Sequence, residues 1–299
     1  MAQSTFRGVF CALVTPMQAN GEIDYPKLGQ FSDYLIHKGV HGLVPLGSTG
    51  EYYALSADER ERVIRTTLDA VAARVPVIAG TNAGSTRDVI AFSRQAEELG
   101  CDGVMLAAPY YSRPRPEELY THFRAINNAM GIPIMLYNSP GRTGVDMSPE
   151  LIARLAALKN IRYVKESTGE MPRITTLLRL CGDRLGVFCG CDTIALESLM
   201  VGAVGWVGGV VNVLPRSHVR LYTLAVEKRD PVAARKLFFQ MLPMLELTET
   251  GSKYTQLVKA ACGLMGHDCG APRRPLGPAS KAECARLKAA LRLCTEGRK

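Results

Sequence analysis

Ile161-Arg162-Tyr163-Val164-Lys165-Glu166-Ser167-Thr168-Gly169 passes from a short apolar run into a polar turn, and the change falls on a lysine. The run reads as a buried strand over 161–165, with Lys165 at its carboxyl end. Keeping an ammonium charged in such a setting is costly, which favours the neutral amine, and a neutral amine can attack a substrate carbonyl to give a Schiff base. A lone lysine at a strand end can equally reach out to water along its methylene stem. Its neighbours in the chain have to separate the two readings.

The other apolar runs end in the same way. Leu43-Val44-Pro45-Leu46 leads into Gly47-Ser48-Thr49-Gly50-Glu51, and Gly103-Val104-Met105-Leu106-Ala107-Ala108 leads into Pro109-Tyr110-Tyr111. Ile134-Met135-Leu136 leads into Tyr137-Asn138-Ser139-Pro140-Gly141-Arg142-Thr143-Gly144, and Gly186-Val187-Phe188 into Cys189-Gly190-Cys191-Asp192. Amphipathic stretches at 56–73, 86–99, 116–130 and 148–158 lie between them, several opened by Ser, Thr or Pro. The chain therefore alternates strand and helix, with polar groups gathered at one end of the strands.

Strands are predicted near 8–14, 42–46, 76–80, 103–107, 133–137, 161–165, 186–189 and 203–207. Eight is the number that closes a parallel α/β barrel, the (β/α)₈ TIM barrel, whose active sites are built from loops at the carboxyl ends of the strands. An open doubly wound sheet would instead carry a glycine-rich dinucleotide or phosphate loop, and Gly47-Ser-Thr-Gly-Glu51 has neither spacing. With 299 residues the chain has room for a catalytic barrel over 1–225 and a helical extension over 226–299, with further helices at 230–247, 251–266 and 280–293.

Composition narrows the class. A hydrophobic content of 47% with 21% charged residues is that of an ordinary water-soluble protein, and neither a signal peptide nor a membrane-spanning run is expected. Nine cysteines, an odd number spread through predicted strands and helices, point to a reducing cytoplasm and not to a disulfide framework. Cys189 and Cys191 have no second pair at zinc spacing and the five histidines form no ligand motif, so no metal is expected. The net charge of +8 is dispersed among acidic residues along the helices, which argues against a nucleic-acid partner and suits a small anionic substrate.

Four motifs taken together carry a family resemblance over essentially the whole chain. Gly47-Ser-Thr-Gly-Glu51, Pro109-Tyr-Tyr-Ser-Arg-Pro114, Tyr137-Asn-Ser-Pro-Gly-Arg-Thr-Gly144 and Lys165-Glu-Ser-Thr-Gly169 resemble, in order and spacing, the dihydrodipicolinate synthase and N-acetylneuraminate lyase family. The resemblance implies a cofactor-free class I aldolase-type barrel in which a lysine forms an imine with pyruvate or a related 2-oxo acid. It also implies a homotetramer, a dimer of dimers.

Carried over residue by residue, the resemblance makes Lys165 the Schiff-base former and Tyr137 the phenol that shuttles protons beside it. Thr49 is the relay hydroxyl, and Tyr111 matches the tyrosine that the family donates from a neighbouring subunit, although Tyr110 and Tyr111 also read as a plain aromatic pair at an interface. Ser48 and Thr49 form a small cradle for the 2-oxo acid carboxylate, while Gly190 and Val207 match positions that line the imine site. Arg142 matches the arginine with which the synthases hold the carboxylate of aspartate semialdehyde, a group its planar fork suits.

The chain departs from the synthase pattern at Ser48, at Tyr52, which should enlarge the apolar side of the site, and at Gly205-Trp206-Val207-Gly208-Gly209. Ala57, Arg60 and Gly84 stand where lysine-inhibited synthases have histidine or asparagine, so feedback inhibition by lysine is not expected. The function expected is condensation of pyruvate with aspartate semialdehyde. One alternative is a dehydratase, deaminase or aldolase acting on a hydroxylated 2-oxo acid or a hydroxypyrroline carboxylate. Another is an inactive ligand-binding barrel.

Overall fold

The structure, a computed structural model, describes residues 6–296. The first five residues of the predicted barrel and the last three of the predicted extension lie outside the described residues.

All eight expected strands form: β1 Gly8–Ala12, β2 Gly42–Val44, β3 Ile78–Gly80, β4 Gly103–Ala107, β5 Ile134–Asn138, β6 Ile161–Glu166, β7 Gly186–Cys189 and β8 Gly205–Gly208. They pair in parallel in the order β2-β1-β8-β7-β6-β5-β4-β3. A parallel bridge between Leu43 and Val77, and a hydrogen bond of 2.9 Å from the Gly80 N–H to the Pro45 carbonyl, bring the two ends of the sheet together. The result is a TIM barrel with a helical C-terminal part.

Side chains alternate along each strand, so every strand divides its residues between two cores. Phe10, Val44, Ile78, Met105, Met135 and Phe188 fill the barrel, whereas residues one step along the same strands, such as Val9, Leu43, Val104 and Leu136, pack outward against the helices. The amino end of the barrel is plugged by aromatic rings. Phe6 stacks on Tyr163 at 4.8 Å and Phe10 meets Phe188 edge-on at 5.4 Å. This plug leaves the polar groups at the carboxyl ends as the open mouth.

The helices between strands are α1 Tyr25–His37, α2 Ala57–Val71, α3 Thr86–Glu98, α4 Pro116–Ala129, the short α5 Pro140–Thr143, α6 Pro149–Leu155, α7 Met171–Cys181, α8 Ala195–Met200 and α9 Pro215–Tyr222. Local chemistry explains where they start. Asp24, Ser85 and Ser148 cap α1, α3 and α6, and Ser56 forms a reciprocal capping box with Glu59 at α2. Helix α6 stops short of the expected 158, because the chain turns there into Asn160, whose side-chain amide donates to the carbonyls of Asn127 and Met130.

The extension consists of α10 Pro231–Glu249, α11 Tyr254–Leu264 and α12 Lys281–Glu296. Helix α11 starts later than the expected 251 because Gly251 takes a φ of +85°, outside helical geometry. A π-helical turn at Thr223–Glu227 prolongs α9 and straddles the expected division at 225. Among the described residues no helix is long and apolar enough to cross a membrane.

Candidate active site

Strands β5 and β6 pair in register with Tyr137 directly beside Lys165. Because their neighbours Leu136 and Val164 point outward, both side chains point into the barrel mouth. Both are buried, and the Lys165 Nζ stands 4.4 Å from the centre of the Tyr137 ring. The two residues that the sequence reading couples are thus side by side.

The rest of the wall comes from other strand ends. Ser48 and Thr49 follow β2, Ser139 and Arg142 follow β5, Ser167 follows β6, Gly190 follows β7, and Val207 lies on β8 facing inward. Together with Tyr137 and Lys165 they enclose a narrow cavity of about 70 Å³. Gly190 is required by space: a Cβ there would lie 1.9 Å from the Ser167 Oγ and 2.7 Å from the Lys165 Cγ. The Ser167 Oγ is itself buried without a hydrogen-bond partner, a hydroxyl left open toward the cavity it lines. A larger cavity of about 530 Å³ opens at the opposite end of the barrel, among Arg7, Arg162, Arg184 and the aromatic plug. That is the end where barrel residues serve stability and not chemistry, and no lysine is among the residues that line it.

Electrostatics favour proton release at Tyr137. Burial by itself would raise the phenol's pKa, but the positive charges of Lys165 and Arg142, with hydrogen bonds from Ser139 and Ser48, outweigh it and bring the value below the ordinary range of a tyrosine. A phenol lowered in this way is suited to carry a proton back and forth.

The loop that bears Ser48 and Thr49 is held in an unusual shape. Leu46 and Glu51, at its two ends, have φ of +59° and +60°. Side-chain-bearing residues seldom adopt this left-handed region, and they persist there only where the surroundings fix them. The fixing group is the fully buried carboxylate of Glu51. It accepts from the Lys259 Nζ at 2.8 Å and from the Arg273 N–H at 2.7 Å, both from the extension. Lys259 also donates to the carbonyls of Thr15 and Ala271.

A second group from the extension lines the cavity. The hydroxyl of Tyr254 at the start of α11 accepts from the Gly209 N–H at 2.9 Å and donates to the Asp192 carboxylate. Asp192, fully buried, also accepts from the Trp206 indole N–H at 2.8 Å, and its own N–H donates to the Glu249 carboxylate at 2.9 Å. Burial and the Glu249 charge push the Asp192 carboxyl up to about 7, against the pull of Tyr254, Trp206 and Lys165. Burial, with Asp192 and Glu249, likewise raises the Tyr254 phenol.

The structure therefore gathers Lys165, Tyr137, Ser48, Thr49, Arg142, Gly190 and Val207 around one cavity. Tyr111 is not among them: its side chain is 92% exposed, on the loop after β4. Tyr52 does not enlarge the cavity either, because it lies outside the wall with the Arg60 guanidinium 5.6 Å above its ring. Nor does the Trp206 ring face inward. It packs on His218 at 4.3 Å and reaches the site only through its N–H to Asp192. Sequence reasoning gave no role to Ser139, Ser167, Asp192, Glu249 or Tyr254. For Asp192 a signal existed, since it directly follows Cys189-Gly-Cys191 at a strand end.

A closed parallel barrel with a buried lysine and tyrosine at its carboxyl mouth defines the architectural class. The model of the dihydrodipicolinate synthetase family matches residues 5–293. The chain is 42% identical over 286 residues to the 4-hydroxy-tetrahydrodipicolinate synthase of Pelobacter propionicus, covering 95% of this chain and 98% of that one. It is 40% identical over 283 residues to the synthase of Syntrophus aciditrophicus, covering 95% and 96%. The solved structure of a chloride-inhibited dihydrodipicolinate synthase from Acinetobacter baumannii, complexed with pyruvate, superposes with a TM-score of 0.94 at 34% identity, covering 97% of this chain and 99% of that one. The chain belongs to the dihydrodipicolinate synthetase family.

Proposed function

We propose that this protein is a Schiff-base-forming lyase that condenses pyruvate with aspartate semialdehyde, as a 4-hydroxy-tetrahydrodipicolinate synthase does. The observation that carries the reading is the registered pair of Tyr137 and Lys165 at the barrel mouth. Relatives of that name at 40% and 42% identity, and a solved relative described as holding pyruvate, support it.

In this reading the Lys165 amine adds to the keto carbon of pyruvate, and the carbinolamine loses water to give an imine. Tyr137 supplies and recovers the protons, and the next hydroxyl in the relay is Ser48, which hydrogen-bonds the phenol, in place of the expected Thr49. Ser48, Thr49 and the backbone of their loop hold the carboxylate, and Gly190 and Val207 leave room for the three-carbon chain. Loss of a C3 proton then yields the enamine, which is the carbon nucleophile. Arg142 holds the carboxylate of the aldehyde substrate.

Residues 1–225 are taken as the catalytic barrel and 226–299 as the extension that completes its mouth. The working form is a cytoplasmic homotetramer, a dimer of dimers, in which the exposed Tyr111 enters a neighbouring site and carries the relay to solvent.

Borohydride reduction in the presence of pyruvate tests the nucleophile. A stable secondary amine should map to Lys165, and an adduct that survives Lys165→Ala would overturn the assignment. Mixing Tyr111→Phe with Tyr137→Phe subunits tests the assembly, since hybrids can hold one complete site and should recover activity that neither variant has. If pyruvate is trapped but no aldehyde-dependent turnover follows, release of ammonia or water from a hydroxypyrroline carboxylate or hydroxylated 2-oxo acid would select the elimination reading with the same Lys165.

A further inference from the structure

Two tyrosines of this chain line the cavity, and of these the chemistry just described uses only Tyr137. Tyr137 stands on β5 next to Lys165, hydrogen-bonded toward Ser139 and Ser48. Tyr254 comes from the extension and is fixed beside the end of β8, three strands away around the barrel, with β6 and its Lys165 between them. The two phenols thus border the reacting centre from different sides.

Room for Tyr254 is made by glycines. A Cβ on Gly209 would lie 2.5 Å from the Tyr254 ring, and a Cβ on Gly208 would lie 2.6 Å from the Asp192 Oδ1 and 2.9 Å from the Trp206 Nε1. The sequence Trp206-Val207-Gly208-Gly209 therefore builds one unit, in which the indole orients the carboxyl and the carboxyl orients the phenol. Arg142 lies across the cavity, its guanidinium 5.9 Å from the Tyr254 ring. Its charge also acts on Tyr137, so a substrate carboxylate on Arg142 lies close to both phenols, and the remainder of that molecule is within the cavity that Tyr254 lines.

We propose that Tyr254 is a second catalytic residue, the proton donor to the carbonyl oxygen of the second substrate, and that Asp192 is the positioning residue which resupplies it. The proposal rests on the imine reading above. The enamine carbon forms the new bond to the aldehyde carbon while its nitrogen becomes an iminium, and the aldehyde π pair moves onto oxygen. The Tyr254 O–H breaks toward that oxygen, leaving a hydroxyl on the product. The phenolate takes the proton of the Asp192 carboxyl, which regains one from solvent by way of Glu249, the exposed carboxylate beside it that also lines the cavity. Burial and the adjacent Glu249 carboxylate favour the protonated form of Asp192.

The test separates the two halves of the reaction. With Tyr254→Phe, borohydride trapping of pyruvate and exchange of its methyl hydrogens in heavy water should stay within about threefold of the unaltered enzyme. Turnover with aspartate semialdehyde should fall about a hundredfold in kcat, with little change in KM. Gly209→Ala, which displaces the Tyr254 ring, should reproduce this pattern, and Asp192→Asn should lower kcat in the same sense. Unaltered kcat in Tyr254→Phe, or a rise in KM alone, would overturn the proposal. Equal loss of trapping, exchange and turnover would also overturn it, by assigning Tyr254 a scaffold role. If the unaltered protein traps no 2-oxo acid, the imine reading itself fails and the proposal with it.

Discussion

Two clusters of charge, each centred on a buried carboxylate, flank the cavity, and they are built on opposite principles. Around Glu51 every charge has a partner: Lys259 and the Arg273 N–H saturate the carboxylate, and the remaining Lys259 protons go to carbonyls. Around Asp192 the nearest charge is another carboxylate, Glu249, and only neutral donors, Trp206 and Tyr254, attend it. A neutralised pair fixes geometry, whereas a like-charged pair keeps a proton close to release. The first cluster belongs to the frame of the site and the second to its chemistry.

The largest effect is expected where that frame is broken. Lys259→Met leaves the Glu51 charge buried without its cation, and removing one partner of such a pair costs about 3 to 5 kcal/mol. Thermal unfolding should show it. The double variant Lys259→Met with Glu51→Leu should recover much of the loss, and failure to recover would mean that the pair does more than neutralise itself. Next comes Arg142, whose removal from a bound carboxylate should reduce efficiency by about 2 to 5 kcal/mol in steady-state kinetics, while imine trapping with pyruvate persists.

Asp192 should reveal itself through pH. Its carboxyl is raised in the folded protein to about 7, above its unfolded value near 3.9, so the stability it contributes is fully present below the unfolded value and is lost as pH rises through the folded one. Melting temperatures measured from pH 5 to 8 should therefore decline more steeply in the unaltered protein than in Asp192→Asn. Equal slopes would erase the contrast between the clusters. The smallest change is expected from Trp206→Phe, which removes one hydrogen bond to Asp192 and should cost about 1 to 2 kcal/mol in the same unfolding assay.

How much of this was legible in the chain follows from the range of the interactions. The strands were legible because each is a short apolar run ending in a polar turn, and the helices because their caps are local. Lys165 and Tyr137 could be placed at a common mouth because strand ends of a barrel converge. The contacts that complete the mouth are not local. Tyr254 meets Asp192 across 62 positions and Lys259 meets Glu51 across 208, and no periodicity encodes such pairings. Tyr52 is misplaced for a related reason: a side chain's type does not tell which wall of a strand or turn it faces, and this ring, expected to shape the cavity, lies outside its wall.

The long reach of Lys259 and Arg273 also has a consequence for synthesis. The loop from Leu46 to Glu51 leaves the ribosome early, before anything holds its two left-handed end positions and with a carboxylate that has no cation to meet. Its partners follow 208 and 222 residues later, so at about 5 to 20 residues per second the nascent barrel waits on the order of ten seconds or more for them. Until then a growing chain can own its lysine and tyrosine and still lack a settled place for a substrate.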